Sequence, residues 1–320
     1  MMKGEWPVMR NTENTDKSIM SRRKFLKAAG VAAGTAGVLS RIGGPAASKE
    51  KKPDNGAAQL KATLEESILE TESKLVDLAC ISLSEFRENI KRCPAVTMAI
   101  GSIEWHGAHL PLGFDTLKAD ALCRRIAADA ECFAAPPLFY GYAYHFNQQG
   151  LMPAMYSNLD TFREYLESIF YSFYDIGFRV IFTITGHYEN LQVLTLKTAA
   201  QIVMDERDGL RIFCHKEPDF TAESGHGGDH AGFYETSLGL ALFPELVHMD
   251  RGGKADDLNS GFKPKGERKP PNFESWVTYF EDGKSKASAF EGQKLAEMIV
   301  HKGADEIRNA LADLSKKRDD

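Results

Sequence analysis

The sequence predicts a three-layer α/β/α protein with a mostly parallel central sheet. Short apolar runs, clearest at 95–100 and 179–185, alternate with longer stretches of helical periodicity. Both runs stop at a glycine, Gly101 or Gly186. A chain of 320 residues with 43% apolar content can also bury a substantial core without disulfide support. Strand–helix–strand alternation of this kind lays strands side by side in parallel, with the connecting helices covering the sheet.

Taken in order, residues 60–78 place Leu60, Leu64, Ile68, Leu69, Leu75 and Leu78 at loosely helical spacing, which predicts a leading helix. Residues 95–100 form a compact apolar strand. A helix over 117–130 follows, then a short strand over 132–135 that stops at Pro136-Pro137. The stretch 159–174 is helical, with Phe162, Tyr165, Phe170 and Phe173 among its apolar positions. The β-branched run 179–185 reads as a buried strand, 191–204 as a helix and 210–214 as another strand. Residues 230–242 and 293–314 supply two further helices. Between them, 249–272 is rich in Gly, Lys, Asp and Pro and reads as a surface loop. With no internal repeat, one domain over 83–320 is expected, preceded by a linker and leading helix over 49–82.

The net charge of −6 hides an asymmetry: residues 1–48 hold eight Lys/Arg against three Asp/Glu, leaving 31 basic and 42 acidic residues beyond them. An acidic body lacks the basic face that phosphate neutralisation requires, which argues against nucleic acid as a partner. Within the basic segment, Ser21-Arg22-Arg23-Lys24-Phe25-Leu26-Lys27 precedes a weakly apolar Ala/Gly-rich run over 28–39. A basic region, a short apolar stretch and then small residues (Gly44, Ala46, Ala47, Ser48) are the parts of an export signal. The paired arginines resemble the twin-arginine signal. The expectation is therefore a signal peptide over 1–48, use of the twin-arginine export machinery and a periplasmic or other extracytoplasmic location. The apolar run is too short for a permanent membrane span. Five cysteines, Cys80, Cys93, Cys123, Cys132 and Cys214, include no C-x-x-C pair, so neither a thiolate zinc site nor a disulfide framework is indicated.

Three clusters carry chemistry. In Gly101-Ser102-Ile103-Glu104-Trp105-His106, Glu104 and His106 stand two apart, so an extended backbone points both the same way. Asp115 follows after a Gly/Pro-containing loop that can fold back towards them. Thr185-Gly186-His187-Tyr188-Glu189-Asn190 repeats the spacing with His187 and Glu189, directly after the best strand. The third cluster is Gly227-Gly228-Asp229-His230-Ala231-Gly232-Phe233-Tyr234-Glu235-Thr236-Ser237. Two histidines and three carboxylates form a mixed nitrogen/oxygen set suited to zinc or manganese. Five groups exceed the needs of one tetrahedral catalytic ion, whereas two ions sharing a carboxylate use them all. Strand ends are also where open α/β sheets bind ligands.

The motifs G-S-I-E-W-H-G-x-H-L-P-L-G-x-D, T-G-H-Y-E-N and D-H-A-G-x-x-E-T-S, in this order, resemble the creatininase family, and the resemblance runs from about residue 83 to the C-terminal helix. It implies a creatininase-like fold and a binuclear amidohydrolase, in which a hydroxide between two divalent ions, zinc and/or manganese, attacks an amide carbonyl. By resemblance, Glu104, Asp115 and His187 hold one ion and His106, Asp115 and Glu189 the other, with Asp115 bridging. His230 matches the catalytic histidine, with Asp229 as its acidic neighbour. Glu235 is expected as a partner behind the ligands, and Tyr188, His226 and Trp276 around the substrate pocket. The family's substrate-closing tryptophan falls four residues before the catalytic histidine, where this chain has His226. The expected substrate is a small amide: a cyclic amide such as creatinine, an N-formyl compound or a short peptide. A non-catalytic exported ligand-binding protein is the rival reading. The resemblance also implies a homo-oligomer, possibly a hexamer.

Overall fold

The computed structural model describes residues 76–142, 158–251, 280–281 and 284–319. One parallel sheet is built from β1 (Val76–Asp77), β2 (Ala95–Ile100), β3 (Phe133–Ala134), β4 (Val180–Thr185) and β5 (Arg211–His215), in the order β1-β3-β2-β4-β5. The helices around it are α1 (Leu83–Arg92), α2 (Phe114–Asp129), α3 (Leu159–Asp175), α4 (Asn190–Glu206), α5 (Pro218–Thr221), α6 (Phe233–Leu242) and α7 (Ala289–Asp319). A separate antiparallel pair joins β6 (Phe280–Glu281) to β7 (Lys284–Ser285).

Strands β2 and β4 are buried along their whole length, which is why their sequences read as apolar runs with little alternation. Their side chains nonetheless divide between two cores, because successive residues point to opposite faces. Ala95 and Ala99 of β2 and Val180, Phe182 and Ile184 of β4 pack with Leu122 and Ile126 of α2, Leu238 of α6 and Ile299 of α7. On the other face, Val96, Met98, Ile100 and Ile181 meet Phe162, Leu166 and Phe170 of α3 and Leu196 and Val203 of α4. Sheet and two helical faces make the three layers that the alternation predicts.

Strands β2 and β4 pair in register from Ala95↔Val180 to Ile100↔Thr185. From β2 the chain moves to β3 on one side, and it returns to place β4 and β5 on the other. The connections therefore diverge between the carboxyl ends of β2 and β4, the place where such sheets open a ligand crevice.

Several boundaries differ from expectation. The leading helix over 60–78 lies outside the described residues except at its end, where Val76–Asp77 form β1 instead. Helix α1 went unread, although its capping box was legible: Ser82 Oγ accepts from Glu85 N and Glu85 Oε2 accepts from Ser82 N. Helix α2 begins at Phe114, three residues earlier than predicted, and α6 begins at Phe233, three residues later than predicted. Of the loop over 249–272, Met249–Arg251 form a single 3-10 turn and the rest falls outside the described residues. Among the described residues no helix is long and apolar enough to cross a membrane.

Candidate metal centre

Three backbone features bring the functional side chains together at the carboxyl edge of the sheet. The segment leaving β2 carries Glu104 and His106 and then folds into α2, whose first turn holds Asp115. The segment leaving β4 carries His187 before α4 begins. The loop before α6 carries His230, and the first turn of α6 holds Glu235. Glycine permits the close approach. A Cβ on Gly186 would stand 2.0 Å from the carbonyl oxygen of Asp115, and one on Gly101 would stand 2.5 Å from the amide of Thr116. Only a residue without a side chain lets both strand ends press against the start of α2.

Glu104, His106, Asp115, His187 and Glu235 are almost wholly buried. His106 Nε2 lies 2.9 Å from Asp115 Oδ1 and 3.6 Å from Glu235 Oε2. His187 Nδ1 lies 3.0 Å from Glu104 Oε1 and 3.2 Å from Asp115 Oδ2. Yet among the described residues Glu104 Oε2, His106 Nε2, Asp115 Oδ2 and His187 Nε2 have no partner in hydrogen-bonding geometry. Buried polar atoms that stand close without bonding one another are costly. Atoms converging on a common cation explain the arrangement. Ligand atoms within 4.8 Å of one another form the sets Glu104–Asp115–His187, His106–Asp115–Glu235 and Glu104–His106–His230, so the donor set fits a divalent metal.

The electrostatics agree. Burial disfavours the His106 imidazolium, but Asp115, Glu235 and Glu104 outweigh it and raise the pKa to about 9. Burial opposes charge on His187 too, and Glu104 and Asp115 instead hold it well above the usual histidine range. Asp115 is held well below the usual carboxylate range, against burial, by His106, His187 and Lys118. This surplus of negative charge retains protons on the histidines, and a metal ion would displace them.

Tautomers are set by carbonyl groups. A carbonyl can only accept, so Glu104 O, 3.2 Å from His106 Nδ1, takes its N–H and turns Nε2 to the carboxylates. Trp105 O, 2.8 Å from His230 Nε2, does the same for that ring and leaves Nδ1 facing Glu104 Oε1 at 3.6 Å. Burial and the neighbouring His106 lower the His230 pKa.

Glu104, His106, Asp115, His187 and His230 therefore lie together at the edge of the sheet. Glu189 does not join them. Its Oε2 caps α4, accepting from Leu191 N at 2.8 Å and Gln192 N at 3.1 Å, and the carboxylate beside His106 and Asp115 is Glu235. The reason is positional: Glu189 is the N-cap of its helix, where amides compete for the carboxylate, whereas Glu235 projects inward from a buried first turn. Asp229 turns both carboxylate oxygens to backbone amides. Its Oδ2 accepts from Tyr234 N and its Oδ1 from Gly232 N and Glu235 N, so it caps the start of α6. Burial raises its pKa to about 6 despite those amides. Ala231, at φ 52°, turns the chain between His230 and α6. That conformation costs a non-glycine residue roughly 1–2 kcal/mol, and the Ala231 amide is held by Glu235 Oε2 at 2.6 Å.

The Tyr188 hydroxyl accepts from Lys118 Nζ at 3.0 Å. The His226 ring stacks on Phe233 with centroids 6.2 Å apart. Trp276 lies outside the described residues. Sequence reasoning missed Lys118, fully buried beside Glu235 and Asp115, although its spacing of three from Asp115 puts both on one helix face. It also missed Glu217, fully buried ahead of α5.

Fold and cluster together define an α/β protein with a buried histidine–carboxylate site, fit for divalent ions, at the switch point of its sheet. The chain belongs to the creatininase family: the family described as creatinine amidohydrolase matches residues 79–307. It is 29% identical over 196 residues to the 3-dehydro-scyllo-inosose hydrolase of Thermotoga maritima, covering 58% of this chain and 61%, under two thirds, of that protein. To the creatinine amidohydrolase of Pseudomonas putida it is 28% identical over 199 residues, covering 56% of this chain and 76% of that one. A solved structure described as "Creatininase Mn" superposes with a TM-score of 0.58 at 23% identity, covering 73% of this chain and 98% of its own.

Proposed function

We propose that this protein is a metal-dependent amidohydrolase acting on a small amide, with Asp115 shared between two divalent ions, zinc or manganese. Glu104, Asp115 and His187 would hold one ion, and His106, Asp115 and Glu235 the other. The observation that carries the reading is the meeting of these sequence-distant, buried side chains, with several polar atoms that make no hydrogen bond among the described residues. Divalent ions held there would polarise a carbonyl and acidify a bound water molecule, which is the chemistry amide hydrolysis needs near neutral pH.

The remaining tasks fall to the chain. His230 is oriented by the Trp105 carbonyl so that Nδ1 faces the cluster. Held this way, it can take a proton at Nδ1 and pass it to the leaving nitrogen, a contribution on the order of 10²–10⁴-fold. Asp229 acts through backbone: by capping α6 it fixes the segment that carries both His230 and Glu235.

The test is a substrate panel with manganese- or zinc-loaded protein: creatinine, other cyclic amides, N-formyl amines and short peptides. A cyclic ketone belongs in the panel because the Thermotoga relative is an inosose hydrolase. Turnover of an amide is expected, falling at least 100-fold in His230→Ala with metal content unchanged. A metal-replete His230→Ala that works as well as the parent would remove the proton-shuttle role. Tight binding across the panel with no turnover would favour a ligand-binding protein.

The same reading takes the protein out of the cytoplasm through the twin-arginine route, supported by Arg22-Arg23 ahead of the apolar run. Replacing both arginines with lysine should retain the protein in the cytoplasmic fraction. Unaltered export of that variant would exclude the route.

A further inference from the structure

Lys118 is a fully buried ammonium for which the proposed reaction has no use. It sits one turn after Asp115 on α2, with Nζ 3.8 Å from Asp115 Oδ1 and in direct contact with Glu235 Oε1. Nζ also donates to the Tyr188 hydroxyl at 3.0 Å and lies over the Tyr188 ring, 4.4 Å from its centroid. Taking an ammonium out of water is expensive and persists only where opposite charge and hydrogen bonds surround it. Two carboxylates contribute here. Glu235 is in direct contact, and Glu217, also fully buried, favours the ammonium through its charge, while Lys118 and Tyr188 favour the charged form of Glu217 in return.

The consequence falls on Glu235. Its Oε1 is taken by Lys118, while its Oε2 accepts from Ala231 N and faces His106 Nε2 at 3.6 Å. The carboxylate is thereby fixed in rotation, with a single oxygen turned to the centre. We propose that Lys118 is a positioning residue for the second metal position, clamping Glu235 so that it offers one oxygen beside His106 and Asp115. This rests on the metal-centre reading above. The first position, Glu104–Asp115–His187, does not include Glu235 and meets Lys118 only at Asp115, 3.8 Å away, so it should depend on the clamp less than the second.

Loss of a partner that orients a metal ligand typically weakens metal binding 10–100-fold. The experiment is stepwise manganese titration of the full chain by calorimetry, with bound metal counted by elemental analysis after dialysis. In Lys118→Met the second ion should weaken 10–100-fold and the first by less than the second. Because Lys118→Met alone removes a cation that favours the charged form of Glu217 and could impair folding, the decisive variant is Lys118→Met/Glu217→Gln, which removes both groups. A clamp predicts that the double variant folds and still binds the second ion weakly. If Lys118 serves only to offset Glu217, the double variant regains two ions at parental affinity and the proposal is overturned. A parent chain that binds no manganese or zinc would bring down the metal-centre reading and this proposal together. Two tight ions in both parent and double variant would bring down this proposal alone.

Discussion

The contact between Gly186 and Asp115 offers the sharpest test of how the fold builds the site. In Gly186→Ala the new Cβ would lie 2.0 Å from the Asp115 carbonyl oxygen and 2.7 Å from its carbonyl carbon. Ordinary contact begins near 3.4 Å, so the two backbones must part by about 1.4 Å. Both are main chain, one leaving β4 and one opening α2, and no rotamer change can absorb the clash. Asp115 lies 2.9 Å from His106 and 3.2 Å from His187, while metal–ligand distances tolerate only about ±0.2 Å. A shift of that size removes the carboxylate common to both ligand sets. The metal-free variant should lose roughly 1–3 kcal/mol from overpacking, read by urea unfolding, and should hold neither zinc nor manganese after dialysis. Gly227, with nothing within reach of an added Cβ, is the control position, and Gly227→Ala should change neither reading. A folded Gly186→Ala protein that binds both ions as tightly as the parent would refute the claim that this backbone contact places Asp115.

Two further outcomes follow from the ligand geometry and the buried charges. Glu235→Ala should lose one bound ion, whereas Glu189→Ala should keep both and lose about 0.5–2 kcal/mol of stability as an N-cap. Metal analysis giving the reverse order would restore Glu189 as the ligand. Burial raises Glu217 to about 7, against the pull of Lys118 and Tyr188, from an ordinary value of 4.5. The folded state thus holds this proton more tightly than the unfolded state, and its stabilising effect is lost as pH rises from about 4.5 through 7. Glu217→Gln, compared with the parent in chelator, should therefore gain on the order of 2–3 kcal/mol relative stability between pH 5 and pH 8. A difference between the two proteins that does not change with pH would show that Glu217 is charged throughout.

The sequence by itself determined the layers and most of the residues that gather in the buried histidine–carboxylate cluster. Fully buried parallel strands must be apolar on both faces, so 95–100 and 179–185 announced themselves, and the E-x-H and H-x-E pairs at their ends marked the crevice. Local chemistry that depends only on neighbours in the chain was equally readable: the Ser82/Glu85 capping box was there to be seen. Only the tertiary structure decided which carboxylate stands beside His106 and Asp115. Glu189 and Glu235 are alike in type and in nearness to a histidine, and motif spacing cannot say that one spends an oxygen on the amides of α4 while the other points inward from α6. Asp229 shows the same limit, since the sequence places a carboxylate beside a histidine but cannot say that its oxygens accept from amides at the start of the next helix. Lys118 was legible only as a polar residue on a helix. Its meaning came from the partners that distant segments deliver to one buried point, Tyr188 after β4, Glu217 after β5 and Glu235 in α6. Spacing fixes which face of an element a side chain occupies, but charge pairing across elements is settled by where the elements meet.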